Sequence, residues 1–391
     1  MAVNRDRDID EIKKAEAEAG RRKRNRVIIV IALIIIALSA AGIWAFIINL
    51  KTYESYEIVS SSGDVNPEDR YESFKNGVIR YSQNGIKYEN TSGKLLWDHG
   101  ASMKEPALSF SADYGLFYDI NGSSAVLFDD TGVVTSFSTM LPIAAAGVSD
   151  YGVSVFMTQD GTVSSVYFYD DTGRKLDIEV RNVLAKNSGY PISMTVSPSG
   201  TGLALSLVFI DRGAVKTRIS FLNFDSGKDS TDRMVGYFEY DDTLFPEIRY
   251  LSSEKVAAFG DDRVVFYSLS NETSPRVITE VQFNEEITSV FTGTGCVGVV
   301  TKASDGGHVL YLYDSDGSPV LEKSFEMPYS YAGFSNGYAL IYGGTTCLIV
   351  TESGRVKYWG ETDGSTTYMT STGAGSFLQY GDYGMRTIKL K

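Results

Sequence analysis

From about residue 50 onward, the chain consists of short apolar or alternating runs separated by polar turns rich in glycine. The runs are rich in Val, Ile, Phe and Tyr, which favour β-strands, and none of them sustains the spacing of a helix. Short strands between glycine turns are typical of a sandwich, a barrel or a propeller. The pattern therefore predicts an all-β domain over residues 51–391.

One kind of turn returns along this domain: a strand with aromatic residues, then a few polar and often acidic residues, then glycine. VLFDDTG (126–132), YFYDDTG (167–173) and YLYDSDG (311–317) are examples. Six members end in a glycine, and a degenerate seventh lies near Ser270. The six glycines are Gly93, Gly132, Gly173, Gly227, Gly317 and Gly354. The mean spacing of the seven members, about 43 residues, is close to the length of a four-stranded propeller blade.

A second kind of turn alternates with the first and joins a short strand to an apolar strand, as the first hairpin of a blade requires. It occurs eight times, from FKNG (74–77) to TGAG (372–375), at intervals of about 42 residues. The last unit has only three strands and ends in MRTIKLK (385–391). We expect TYESYEIVS (52–60) to supply its fourth strand, because an open ring would expose a sheet edge. The count favours eight blades, with seven as the alternative.

The acidic turns have two interpretations, a cation site or a chain reversal. In YDDTG, Asp171 and Thr172 suit the centre of a turn, and Gly173 suits the left-handed position that follows. Asp170 or Asp171 can accept a hydrogen bond from the N–H two residues on. A calcium loop needs six to eight oxygen ligands, and even DSDG (314–317) offers too few. We therefore favour the chain reversal.

An apolar run without charge extends from Val27 to Ile48 and is long enough to cross a bilayer. The basic cluster RRKRNR (21–26) precedes it, and the positive-inside rule then places residues 1–26 in the cytoplasm. We expect a cytoplasmic stub (1–26), a transmembrane signal anchor (27–50) and an extracytoplasmic propeller (51–391) in a single-pass cell-membrane protein. The cluster 21–26 is also expected to meet anionic lipid. The alternative is a signal peptide cleaved near Ser39-Ala40-Ala41.

Charge and cysteine content exclude several functions. The net charge is −13, and residues 1–26 carry +3, so the remainder carries −16. So acidic a domain repels nucleic-acid phosphates, and no nucleic-acid partner is expected. Two cysteines are too few for a four-ligand zinc site. Cys296 and Cys347 stand in apolar runs and are expected to be buried thiols, with a bridge between them as the alternative.

The residues that catalysis or cofactor binding would need do not form a motif. His99 and His308 stand at strand edges or turns and are expected to be solvated. The pairs Asp241-Asp242 and Asp261-Asp262 suit solvated loops. Asparagines 90, 121 and 271 suit turns, and most of the 25 tyrosines suit strands, though a few at a blade rim can form a binding platform. We predict no catalytic residue, no cofactor, no metal ligand and no enzyme activity.

Two segments, YESYEIVSS (53–61) and FKNGVIRYSQNGIKYENTSGKLLW (74–97), resemble a family of uncharacterised Gram-positive membrane proteins known only as a domain of unknown function. The resemblance implies a basic stub, one transmembrane helix and an external propeller, and it implies no chemistry. The repeat also resembles quinoprotein-like and WD-type propellers more broadly. No unit carries the Trp-Asp pair of WD repeats with its upstream Gly-His, and Trp97 and Trp359 are too few for a ring of tryptophan-docked blades.

These observations favour a membrane-tethered module that binds or scaffolds a protein, peptide or glycan at the cell envelope. One alternative is an extracytoplasmic enzyme or cofactor protein of quinoprotein-like type, which the residue inventory does not favour. The other is a sensor, which would need a cytoplasmic partner because the stub of 26 residues is too short for a signalling domain. The sequence leaves the binding face and the ligand open.

Overall fold

A computed structural model describes residues 31, 34–39, 51–62, 66, 68–161, 163–183, 189–224, 233–270, 274–304, 306–373 and 375–391. The chain divides into two compact units, Met1–Thr52 and Tyr53–Lys391. In the first unit, Ile31 and residues 34–39 are helical, and the rest of the predicted anchor (27–50) lies outside the described residues. No helix within the described residues is long and apolar enough to span a membrane.

The second unit is an eight-bladed β-propeller in which each blade is a four-stranded antiparallel sheet. Blades 1 to 4 comprise β2 (Arg70–Phe74), β3 (Gly77–Ser82), β4 (Gly85–Asn90) and β5 (Leu95–Gly100); β6 (Pro106–Phe110), β7 (Gly115–Asp119), β8 (Ser124–Phe128) and β9 (Val133–Ser138); β10 (Ile143–Val148), β11 (Ser154–Asp160), β12 (Val163–Tyr169) and β13 (Lys175–Val183); β14 (Tyr190–Val196), β15 (Gly202–Asp211), β16 (Ala214–Asn223) and β17 (Met234–Tyr240).

Blades 5 to 8 comprise β18 (Glu247–Ser252), β19 (Lys255–Phe259), β20 (Arg263–Ser268) and β21 (Arg276–Gln282); β22 (Ile287–Gly293), β23 (Cys296–Lys302), β24 (His308–Asp314) and β25 (Pro319–Phe325); β26 (Tyr331–Ser335), β27 (Tyr338–Gly343), β28 (Thr346–Thr351) and β29 (Val356–Glu361); β30 (Thr366–Gly373), β31 (Ser376–Gly381) and β32 (Gly384–Leu390), completed by β1 (Tyr56–Ser62). The predicted all-β propeller and its eight blades are confirmed.

The ring closes where the sequence predicts. The first strand, β1, pairs antiparallel with β32, from Tyr56 opposite Leu390 to Ser62 opposite Met385. It therefore supplies the fourth strand of the blade whose other three strands come last in the chain. The closure prediction is confirmed, because this pairing covers the edge that β32 would otherwise expose.

Apolar side chains from the second and third strands of each blade pack against the next blade and form the core. Ile79 of blade 1 and Phe117 of blade 2, for example, belong to one buried cluster. Tyrosines fill the junction of blades 8 and 1, where the rings of Tyr71 and Tyr380 stack with centroids 4.3 Å apart. These tyrosines act as strand core residues, as the sequence suggests, because their rings provide large apolar area.

The first strands of the blades lie innermost. The N–H of Ile248 in β18 donates to Ser193 Oγ of β14 at 3.2 Å, and the N–H of Tyr250 donates to Thr195 Oγ1 at 3.3 Å. Because the strands run up and down, the turns between first and second and between third and fourth strands lie on one face, called here the turn face. The other turns and the connections between blades lie on the opposite face, called here the loop face.

Candidate functional site

On the turn face, polar groups of one blade form hydrogen bonds and ion pairs with polar groups of the neighbouring blade. Asp150 Oδ1 accepts a hydrogen bond from Ala112 N–H at 2.8 Å, and the N–H of Asp150 donates to Pro198 O at 2.9 Å. Lys75 Nζ lies 2.7 Å from Asp130 Oδ1 and 3.3 Å from Asp113 Oδ1. These contacts join blades 1 to 4, so much of the turn face serves the structure of the ring.

The acidic turns on this face reverse the chain. Asp170 Oδ1 accepts hydrogen bonds from Thr172 N–H at 3.1 Å, Thr172 Oγ1 at 2.6 Å and Arg174 N–H at 2.9 Å. Gly173 has a φ of 84°, in the left-handed region that a side chain disfavours. The hydrogen bond with Thr172 comes first among the causes that lower the pKa of Asp170. The chain-reversal interpretation is confirmed, and Asp170, not Asp171, is the acceptor.

The other acidic turns behave alike. Asp314 Oδ1 accepts from Asp316 N–H at 2.9 Å and from Ser318 N–H at 2.8 Å, while Asp316 pairs with Lys255 at 2.8 Å. Asn90 Oδ1 likewise accepts hydrogen bonds from the N–H groups of Ser92 and Lys94. Asn121 has a left-handed φ of 58°. Asn271 and Gly227 lie outside the described residues. Within the described part of the chain, no three His, Cys, Asp or Glu side chains gather as metal ligands.

The loop face is more acidic than the turn face. Among the described residues between its strands, twelve are acidic and two are basic: Glu68, Asp69, Glu105, Asp241, Asp242, Asp261, Asp262, Glu285, Glu286, Glu326, Asp363 and Asp382 against Lys104 and Arg212. The described residues between strands on the turn face of the second unit are nine acidic and five basic. The loop face therefore offers the stronger attraction for a cationic partner.

Two aspartate pairs meet on the loop face near blade 5. Asp241 Oδ1 lies 3.1 Å from Lys216 Nζ, and Arg263 contacts both Asp242 at 3.3 Å and Asp262 at 2.8 Å. The hydrogen bond from Arg263 is the main cause that lowers the pKa of Asp262. Asp241, Asp242 and Asp261 are exposed, as the sequence predicts for loop charges. Three of the four carboxylates also form ion pairs, because basic residues on β16 and β20 lie beside them.

These ion pairs leave the negative charge outermost. The side chain of Asp241 is 75% exposed and that of Lys216 19%. Asp242 is 70% exposed and Arg263 12%. A ligand that approaches this part of the loop face therefore meets carboxylates, while the cations lie beneath them.

The central hairpin of blade 4 extends beyond its sheet. Pairing of β15 with β14 ends at Val208 opposite Tyr190, and pairing of β16 with β17 ends at Thr217 opposite Tyr240. Residues 209–216, called here the blade-4 hairpin, pair only with each other among the described strands. The hairpin therefore projects from the loop face.

A polar groove of about 300 Å³ lies on the loop face of blade 1. Its lining includes Asp69, Arg80, Lys87, Asp98 and His99. Arg80 forms an ion pair with Asp69 through Nε, and its Nη1 lies 3.7 Å from Glu89 Oε1. Carboxylates and cations balance in this lining, so the groove can hydrogen-bond a neutral polar group but does not select an ion of one sign.

Glu72 is a charged residue of an innermost strand that the sequence reading did not single out. Burial raises its pKa to about 7. In turn, its carboxylate is one of the causes that raise the pKa of Tyr81, Tyr331 and Tyr368, which lie on blades 1, 7 and 8. A signal was present in RYESF (70–74), where an acid occupies a core-strand position. A carboxyl group with such a pKa can exchange a proton near neutral pH.

The histidines differ from each other. His99 is partly buried beside the polar groove. The ring of His308 stacks on Phe325 at 5.3 Å and meets Tyr329 edge-on at 5.0 Å, and its Nδ1 is buried with no hydrogen-bond partner among the described residues. His308 is partly exposed, so the prediction of a solvated side chain holds only in part, because two aromatic rings lie against it.

Both cysteines are free thiols in the core. Burial raises the pKa of Cys296 to about 12, and it also raises that of Cys347. A raised thiol pKa disfavours the reactive thiolate. The prediction of buried, unbridged cysteines is confirmed.

The fold has solved counterparts. The chain is similar to BamB from Moraxella catarrhalis (TM-score 0.50, 12% identity), a match that covers 86% of this chain and 100% of that one. It is also similar to apo AztD from Citrobacter koseri (TM-score 0.51, 12% identity), with 76% of this chain and 86% of that one covered. At this identity the likeness shows the propeller fold alone. Among curated proteins, none matches the chain in sequence. The model of the Family of unknown function (DUF5711) matches residues 49–390, and the chain therefore belongs to that family.

Proposed function

We propose that this protein is a binding or scaffold module that holds a protein partner on its loop face, outside the cell membrane. The observation that carries the proposal is the charge of that face, where twelve acidic and two basic described residues lie between the strands. Nine of these acids are exposed: Glu68, Glu105, Asp241, Asp242, Asp261, Glu285, Glu286, Glu326 and Asp382. Exposed charge of one sign steers a partner of the opposite sign and favours its orientation.

The tether belongs to the same proposal. Residues 27–50 anchor the protein in the cell membrane as a single-pass helix, and the basic cluster 21–26 holds the cytoplasmic side through anionic lipid. The apolar run and the basic residues before it support this part of the proposal. A module held at the envelope would meet its partner at high local concentration.

Site-specific crosslinking in intact cells tests the proposal. A photo-crosslinking amino acid replaces Glu286 or Asp382 on the loop face, and Asp171 on the turn face serves as the matched control, since all three side chains are exposed. We expect the two loop-face positions to capture the same protein and position 171 to capture none of it. Capture at position 171 alone, or of a cell-wall glycan instead of a protein, would contradict the proposal.

A further inference from the structure

The blade-4 hairpin carries an exposed apolar pair that the core does not use. Ile210 and Val215 are direct cross-strand partners, so both side chains lie on the same face of the hairpin. Ile210 is 69% exposed and Val215 52%. A protruding hairpin would normally carry charged side chains, which keep it soluble. The apolar pair near its end is exposed instead of buried, so it has no evident role in folding.

That apolar face is turned towards blade 5. Side chains alternate along a strand, so Ser206 and Ile219 lie on the same face as Ile210 and Val215. Ser206 Oγ donates to Phe245 O at 2.7 Å, and Ile219 packs in one cluster with Phe245 and Ile248. The connection 241–246, which contains Phe245, therefore forms the floor beside the hairpin. Leu244, 43% exposed, adds apolar surface to that floor. Ile210, Val215 and the connection 241–246 are called here the ledge.

The opposite face of the hairpin is braced. The guanidinium group of Arg218 lies 4.8 Å from the ring centroid of Phe209 and 5.0 Å from that of Tyr237. Arg218 also contacts Glu239 at 2.7 Å, and Lys216 contacts Asp211 at 3.0 Å. These contacts hold the root of the hairpin in place, and a surface fixed before binding loses less entropy when a partner docks.

Carboxylates border the ledge. Asp242, at the start of the floor, has a side chain 70% exposed, and the exposed Asp261 donates its N–H to Leu244 O at 3.2 Å. An apolar centre with a charged rim is the usual composition of a protein-binding surface. The charge complementary to this rim is positive.

We infer that the ledge binds a segment of a protein partner in which apolar side chains alternate with or are flanked by lysine or arginine. The apolar side chains pack against Ile210, Val215 and Leu244, and the cationic groups meet Asp242 and Asp261. This inference rests on the proposed function and specifies the chemistry of the partner.

Binding of defined peptides to the full chain tests the inference. The probe is a synthetic peptide of alternating leucine and lysine, compared with serine–lysine and leucine–glutamate peptides of the same length. We expect the leucine–lysine peptide to bind at least tenfold more tightly than either of the others. Ile210→Ser combined with Val215→Ser should weaken it at least tenfold, whereas Val133→Ser combined with Val134→Ser, at positions 38% and 40% exposed on β9, should change affinity less than twofold. Unchanged melting temperatures check the fold of both variants.

Two results would overturn the inference: equal affinity for the serine–lysine peptide, or equal loss of affinity in the two double variants. Crosslinking separates this inference from the proposed function. A photo-crosslinking amino acid at position 215 should capture, in cells, a segment whose apolar residues are flanked by lysine or arginine. If positions 286 and 382 capture a protein and position 215 captures none of it, the ledge is not its site and the proposed function stands. If no loop-face position captures a protein, the proposed function fails first.

Discussion

At the scale of single residues, the acidic turns depend on their glycine more than on their second acid. Gly173 has a left-handed φ of 84°, and a Cβ there would lie 3.0 Å from Thr135 Oγ1. We predict that Gly173→Val lowers the free energy of unfolding by about 1–2 kcal/mol, the usual cost of a side chain in that conformation. Asp171→Asn, at the neighbouring exposed position, should leave it nearly unchanged. Chemical denaturation of both variants measures the difference, and equal loss in both would contradict the prediction.

Calcium should not bind these turns. The carboxylate of Asp314 is engaged by two backbone N–H groups, and that of Asp316 by Lys255. We predict the same melting temperature with calcium and with a chelator. A rise in calcium that Asp314→Ala and Asp316→Ala abolish would restore the cation interpretation.

The buried carboxyl of Glu72 makes stability depend on pH. Burial raises its pKa from 4.5 to about 7, so the folded protein binds this proton more tightly than the unfolded chain does. The contribution of Glu72 to stability therefore falls as pH rises from about 4.5 to 7 and is constant above that range. We predict that Glu72→Gln removes a decline on the order of 2–3 kcal/mol between pH 5 and pH 8. Burial also raises the pKa of Glu89 and Glu352, so a smaller decline should persist in the variant. Denaturation curves at several pH values give the comparison, and parallel declines in both proteins would refute the role of Glu72.

At the scale of elements, β1 is the strand on which the ring depends. Its side chains from Val59 to Ser62 are exposed, so its contribution comes mainly from pairing with β32 and from the contact of Tyr56 with Tyr358. We predict that deletion of Thr52–Ser60 lowers the free energy of unfolding by several kcal/mol, at about 1 kcal/mol for each lost hydrogen bond. The deletion should also cause self-association through the exposed edge of β32.

The matched control is Val59→Thr, which changes a 58% exposed side chain of the same strand and keeps the pairing. Thermal melting and light scattering measure stability and association. A deletion variant that melts with the control and stays monomeric would show that β1 does not seal the ring.

At the scale of the whole molecule, topology gives a further prediction. Protease added to intact protoplasts should degrade residues 52–391 and spare the N-terminal stub, because nine basic residues precede the apolar run and only Lys51 follows within the next ten positions. An immunoblot with tags at both ends shows which part survives. A protected C-terminal tag beside a degraded N-terminal tag would reverse the orientation.

The blade number and the closing strand were predictable because both depend on local chemistry that recurs. Each turn needs its own glycine or capping acid, as Asp170 and Gly173 illustrate, so the repeat is visible in the sequence. The ledge was not predictable, because its parts come from separate elements, the central hairpin of blade 4 and the connection from blade 4 to blade 5. Lys216, for example, pairs with both Asp211 and Asp241, and the packing of His308 depends on Phe325 and Tyr329 from later elements. Such contacts depend on which strands become neighbours, which spacing alone does not give.

The pairing of β1 with β32 also orders events on the ribosome. Ile58 and its partner Ile388 are 330 positions apart, so β1 is made early and waits for its partner, roughly 15–60 s at ordinary rates of translation. Blades 1 to 7 can form as they emerge, but the ring stays open until residues 384–390 have been made. A chain broken off before that point leaves β1 unpaired and the apolar faces of blade 1 and of the last finished blade uncovered, which proteases and chaperones can recognise. Closure thus distinguishes finished chains from interrupted ones.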